Sequence, residues 1–87
     1  MGGAIGAPRP VYRVQLMATA DGALAERRAE EFRRVFREPV RIDSEGGLFK
    51  IRLGACGARA AAEALQREAV AAGLRDAFVV EAHEPSR

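Results

Sequence analysis

Laying Tyr12 on Phe49 brings two stretches of the chain into agreement, since Tyr12-Arg13-Val14-Gln15-Leu16 matches Phe49-Lys50-Ile51-Arg52-Leu53 in chemical character at each position. The match continues with Ala18 over Ala55, Ala23 over Ala60, Ala25 over Ala62 and Glu26 over Glu63. Self-similarity at a fixed offset marks a duplicated supersecondary unit. A chain of 87 residues has room for one core. The two copies must therefore share it, and neither folds alone.

Each copy opens with period-two alternation, the signature of a half-buried strand. Tyr12, Val14 and Leu16 fall on one side of the first strand, with Arg13, Gln15 and Met17 on the other. The second copy sets Phe49, Ile51 and Leu53 against Leu48, Lys50 and Arg52. After the first strand, Asp21 is placed to cap a helix whose apolar residues Ala25, Ala29, Phe32 and Phe36 recur at helical spacing, with Val35 widening the stripe. Pro39 stops it, because a proline cannot continue the helical hydrogen-bond ladder. A strand over Val40 to Ser44 follows, and Glu45-Gly46-Gly47 joins it as a hairpin to the strand starting at Leu48. The second helix, about Ala58 to Ala72, carries a stripe of small residues, Ala58, Ala62, Leu65 and Ala69, and Gly73 ends it with Leu74 folding back on the last turn. Ala77 to Ala82 completes the set.

The order strand, helix, strand, strand, helix, strand is an α+β, ferredoxin-like βαββαβ plan. Right-handed crossovers then give a four-stranded antiparallel sheet with the repeat-related strands at its centre and two helices on one face. The other face is left open. The domain is expected over residues 11–82, with residues 1–10, rich in Gly, Ala and Pro, as a flexible linker and residues 83–87 as a charged tail. Hydrophobic residues at 48% and charged residues at 30% exclude a disordered chain. No apolar run reaches the roughly 20 residues of a membrane span, so no membrane contact by this domain is expected and any export signal should lie upstream.

Catalytic chemistry finds little to work with, so no enzyme is expected. His83 lies in the charged tail, and Cys56 has no His, Asp or second Cys at a useful spacing, which leaves it a small filler. These two residues are too few for a metal site, and neither glycine-rich segment has the spacing of a phosphate-cradling loop, so no metal and no cofactor are expected. Acylphosphatases share the topology but as a family need an Asn, and the chain has none. The helix charges Arg27, Arg28, Arg33, Arg34 and Arg37 alternate with Glu26, Glu30 and Glu31, which reads as an ordinary solvated face.

The open sheet face is where ligand chemistry concentrates. Arg13, Gln15, Met17, Arg41, Leu48, Lys50 and Arg52 should converge there, setting hydrogen-bond donors beside apolar surface. A sugar needs that mixture: polar contacts to hydroxyls, flat apolar surface under ring carbons. A merely solvated sheet face is the plain alternative.

Val14-Gln15-Leu16, Gly47-Leu48-Phe49-Lys50-Ile51-Arg52-Leu53-Gly54, Ala60-Ala61-Ala62-Glu63-Ala64-Leu65 and the closing Ala72-Gly73-Leu74 together resemble the SPOR domain family, over Val11 to about Ala82. The resemblance implies a bacterial cell-envelope, extracytoplasmic module that binds peptidoglycan glycan strands stripped of stem peptides, as found at division septa. It also implies that Gln15 and Lys50 are ligand contacts on the open face. The glycan-binding set expected on this basis is Arg13, Gln15, Met17, Thr19, Leu48, Lys50 and Arg52. Leu48 replaces an aromatic of some members. Met17-Ala18-Thr19 departs from the usual Gly, small residue, Phe turn, with Thr19 as a substitute hydroxyl, and Ala55-Cys56 replaces Pro-Phe.

Two other classes compete. An RNA-binding domain of this topology stacks bases on aromatics of the central strands, but those positions hold Arg13, Gln15, Lys50 and Arg52, while Tyr12 and Phe49 have the opposite parity. Near balance of 14 basic and 12 acidic side chains also argues against nucleic acid. A protein-interaction module would use the open sheet or an edge strand; a monomer is expected instead.

Overall fold

In a computed structural model that describes residues 8–85, the chain runs β1 (Pro8–Thr19), α1 (Gly22–Val35), β2 (Val40–Glu45), β3 (Leu48–Cys56), α2 (Arg59–Ala71) and β4 (Phe78–Pro85). The strands form one sheet in the order β2-β3-β1-β4, and each neighbouring pair is antiparallel. This is the expected βαββαβ architecture, with the repeat-related strands β1 and β3 in the centre.

Helix boundaries follow local chemistry. Asp21 accepts a hydrogen bond from the Leu24 amide through Oδ1 at 3.1 Å, which satisfies one of the amides left open at the start of α1. At the other end of α2, the Leu74 N–H donates to Ala69 O and the Gly73 N–H to Val70 O, both at 3.0 Å. That pair of bonds is a Schellman closure, and Gly73 supplies the positive φ of 102° it requires.

Val14, Ile51 and Leu53 are wholly buried in the middle of the sheet, roofed by Ala25, Ala29 and Phe32 of α1 and Ala62, Leu65 and Ala69 of α2. Leu16 and Phe36 are buried with them, so the expected core is present. Two stripe residues are not part of it. Val35 is 63% exposed at the last turn of α1, and Ala58 is the exposed N-cap of α2, outside the helix. Arg33, read from sequence as one of the solvated charges, also donates to the carbonyl of Val40 at 3.1 Å and ties α1 to β2.

The first and last strands are longer than the alternation suggested. Pro8, Arg9 and Pro10 pair with Pro85, Glu84 and His83, so the ladder takes in residues expected in the linker and tail. Beyond Tyr12 there is no β3 partner, and a proline is tolerated where a strand has a neighbour on one side only. The rest of the expected linker and tail, residues 1–7 and 86–87, lies outside the described residues.

Strict alternation fails twice between β1 and β3. Gln15 pairs with Arg52 and Met17 with Ile51, so Leu16 is an extra residue on β1. Tyr12 pairs with Cys56 and Val14 with Leu53, so Gly54 and Ala55 together face Arg13. Both bulges fall at the C-terminal end of their copy of the repeated segment. Gly54 has φ +82°, and a Cβ there would sit 2.7 Å from Leu65 Cδ2. A side chain would thus meet both backbone strain and the underside of α2.

Gly54→Ala is expected to destabilise the domain by roughly 2–4 kcal/mol, combining left-handed strain with overpacking. Gly73→Ala, with open space around its Cβ position, should cost only the strain. Urea melts of both variants check this; equal losses would show that Leu65 yields freely.

Candidate functional site

The ladder assigns each side chain of the open face. β2 contributes Arg41, Asp43 and Glu45, whose partners on β3 are Arg52, Lys50 and Leu48. β1 contributes Gln15 opposite Arg52 and, beside it, Arg13. β4 adds Phe78 opposite Gln15 and Val80 opposite Arg13. Both helices pack behind this surface, so nothing in the described chain roofs it.

Arg52 is the hub. Its Nε donates to Gln15 Oε1 at 3.1 Å, Nη1 to Asp43 Oδ2 at 3.0 Å and to Glu45 Oε2 at 2.8 Å, and Nη2 to Glu45 Oε1 at 3.2 Å. The planar guanidinium thus serves an amide and two carboxylates at once, which a lysine could not do. Asp43 is also bonded by Arg41 Nε at 2.8 Å, and Glu45 by Lys50 Nζ at 3.3 Å. Hydrogen bonds from Arg52 first, and from Lys50 second, hold the Glu45 carboxyl below its ordinary pKa. Glu45 in turn raises that of Arg52, against the opposing effect of burial.

The expected binding residues separate into two groups. Arg13, Gln15, Leu48, Lys50 and Arg52 share the open face, as alternation required. Arg13 and Gln15 do not project freely, being only 8% and 9% exposed. Arg13 Nη1 donates to the carbonyl of bulge residue Gly54 at 2.8 Å, and Gln15 is held by Arg52. A central strand leaves such side chains lying across their neighbours. Met17 and Thr19 are displaced by the Leu16 bulge, which shifts parity by one residue. Met17 falls opposite buried Ile51 and packs against the core, keeping only an edge on the open side. Thr19 falls opposite Phe49, and its hydroxyl accepts the Asp21 amide at 3.1 Å, so it serves the turn into α1.

Three residues of the face escaped the sequence reading. Asp43 lay within the expected strand at the parity of Arg41 and was legible from alternation alone, whereas Glu45 required β2 to be extended by one residue. Phe78 is 48% exposed beside Gln15, opposite in parity to buried Ala77, and the sequence alone did not say which parity of this strand faces the helices. Tyr12 stays on the helix side, with Arg59 of α2 5.4 Å over its ring, and Phe49 packs against the core. The central strands therefore carry no aromatic platform.

Two shallow hollows lie on this side. One, of about 300 Å³, is lined by Arg13, Arg41, Asp43, Glu45, Arg52, Val80, Glu81 and Ala82. The other, of about 360 Å³, is lined by Gln15, Leu16, Met17, Ala18, Asp76 and Phe78. The first is polar and ion-paired, while the second sets an aromatic ring beside an amide. Among the described residues no group of three His, Cys, Asp or Glu side chains could hold a metal ion, and no helix is long and apolar enough to cross a membrane.

Comparison with known proteins gives a family and a fold. The model of the SPOR domain matches residues 8–81. The chain is similar to the solution structure of the peptidoglycan binding domain of the B. subtilis cell wall lytic enzyme CwlC, at 24% identity and a TM-score of 0.67, covering 86% of this chain and 90% of that one. At that identity the likeness is one of fold. No curated protein matches.

Because its folded pKa is lowered, Glu45 contributes stability that is present above the ordinary glutamate pKa and lost as pH falls through the lowered value. Side-chain carbon NMR should therefore show Glu45 titrating below the ordinary glutamate range, moving back towards it in high salt. Titration at the ordinary value in low salt would mean the Arg52 contact does not persist in solution.

Proposed function

The chain belongs to the SPOR domain family, and from that premise we propose that it is a non-enzymatic peptidoglycan-binding module that recognises glycan strands lacking stem peptides. One observation carries this reading. A guanidinium fork at Arg52, an amide at Gln15 and an exposed ring at Phe78 stand together on a sheet face that no helix covers.

The chemistry matches a denuded strand. A muramic acid unit keeps a free lactyl carboxylate once its peptide is removed, whereas the intact stem turns that group into a neutral amide. A carboxylate is the acceptor a guanidinium fork binds in bidentate fashion, so discrimination against peptide-bearing strands follows from charge as well as from bulk. Gln15 serves hydroxyl or acetamido groups. Phe78 offers the flat apolar surface that sugar ring carbons prefer, a task Leu48 performs less well at the far end of β3. Similarity to the peptidoglycan binding domain of the B. subtilis cell wall lytic enzyme CwlC supports the ligand class. On this reading the domain works as a monomer in the extracytoplasmic envelope, and carries its parent protein to the division septum or other sites of wall remodelling, where such strands accumulate.

The test is co-sedimentation of the purified domain with amidase-treated and with intact sacculi. Preferential binding to the treated material is expected. Phe78→Ala and Gln15→Ala should each weaken it roughly three- to tenfold, the scale of one or two neutral contacts. Lys50→Glu, which adds a third carboxylate opposite Asp43 and beside Glu45, should weaken it more. Arg34→Glu on the exposed side of α1 is the control. Equal binding to both kinds of sacculi would sink the denuded-strand reading, and release of soluble muropeptides above a buffer control would reveal an enzyme.

A further inference from the structure

The outer fork of Arg52 is already filled in the free domain. Glu45 receives Nη1 on one oxygen at 2.8 Å and Nη2 on the other at 3.2 Å, the bidentate arrangement an incoming carboxylate would adopt. A ligand carboxylate and Glu45 therefore compete for the same two nitrogens.

The two acids bound to Arg52 are not equally held. Asp43 is 17% exposed, sits inside the ladder and is shared with Arg41. Glu45 is 48% exposed, is the last residue of β2 and is followed by the Gly46-Gly47 turn. An exposed ion pair on a long side chain is weakly held, so Glu45 is the partner that can leave. It also has somewhere to go, because its Oε1 already lies 3.3 Å from Lys50 Nζ.

We propose that Glu45 is an internal competitor for the glycan's carboxylate: it fills the Arg52 fork in the free domain, yields it when a carboxylate-bearing glycan docks, and stays neutralised by Lys50. This rests on the reading that the glycan carboxylate docks at Arg52. Lys50 then acts as a positioning residue. Its ammonium keeps the displaced Glu45 from facing the ligand's carboxylate as an unpaired like charge. Glu45 sets selectivity, since neutral or weakly held polymers do not exchange with it.

The experiment measures binding to amidase-treated sacculi for the parent, Glu45→Gln, Lys50→Met, the double variant and Arg52→Lys, with thermal melts to confirm folding. Glu45→Gln is expected to bind roughly two- to fivefold more tightly, the scale of one exposed ion pair. Glu45→Ser serves if the glutamine side chain restores the contact. Lys50→Met should weaken binding in the parent and cost distinctly less in the Glu45→Gln background, a coupling that a direct contact between Lys50 and glycan would not produce. Unchanged or weaker binding by both Glu45 variants, or an equal Lys50→Met loss in the two backgrounds, overturns the competitor role. Arg52→Lys separates the two levels. If it binds like the parent, the docking reading itself is wrong; if it loses binding while Glu45→Gln gains nothing, docking at Arg52 stands and the competitor does not.

Discussion

The pairing of β1 with β3 decides what every other element meets. These strands carry the two copies of the repeat, and their antiparallel register sets Gln15 against Arg52, which occupy the same position in the two copies. On the helix side the same register places Val14 against Leu53, both wholly buried. A one-residue slip would exchange these faces and put a guanidinium under α2. The two bulges then end the regular pairing at either side, one turning Met17 and Thr19 out of the open face and the other bringing the carbonyl of Gly54 to Arg13.

A sheet with helices on one side only must keep its other face compatible with water and still rigid. Here that face is knitted by Arg52, whose bonds cross from β3 to β1 on one side and to β2 on the other. Among the described residues no buried side-chain nitrogen or oxygen lacks a partner. The sheltered part of the network, Gln15, Arg52 and Asp43, is screened little by salt, whereas the Glu45 and Lys50 end is exposed and screened strongly. One side of the hub is therefore architectural and the other is adjustable.

Much of this was legible in the sequence. The repeat gave the duplicated unit, alternation gave the faces of β3 and most of β1, and Asp21, Pro39 and Gly73 marked helix ends by chemistry that operates locally. What escaped had non-local causes. The bulge at Leu16 arises from cross-strand pairing, and no pattern within β1 alone announces it. The near burial of Arg13 and Gln15 depends on neighbours from other strands. Periodicity tells which way a side chain leaves the backbone, and the partner it then finds comes only from the register. So Lys50 and Arg52 read as free cations, although each already faces a carboxylate.

An occupied cation is often taken as a poor binding site, yet selectivity is a difference between affinities and not an affinity. A bare Arg52 would attract any anion, and its field would extend to phosphates and acidic polymers alike. With Asp43 and Glu45 in place the charge of Arg52 is offset, and an anion is admitted to the fork only if it matches it in shape and brings other contacts along. A glycan strand does so, because its carboxylate is tethered to sugar rings that meet Gln15 and Phe78 in the same event, at a high effective concentration. A free carboxylate or a flexible polyanion lacks that tether and must compete with Glu45 unaided. On the proposed reading, the carboxylates that lower the raw pull of the open face are what makes its response depend on the whole strand.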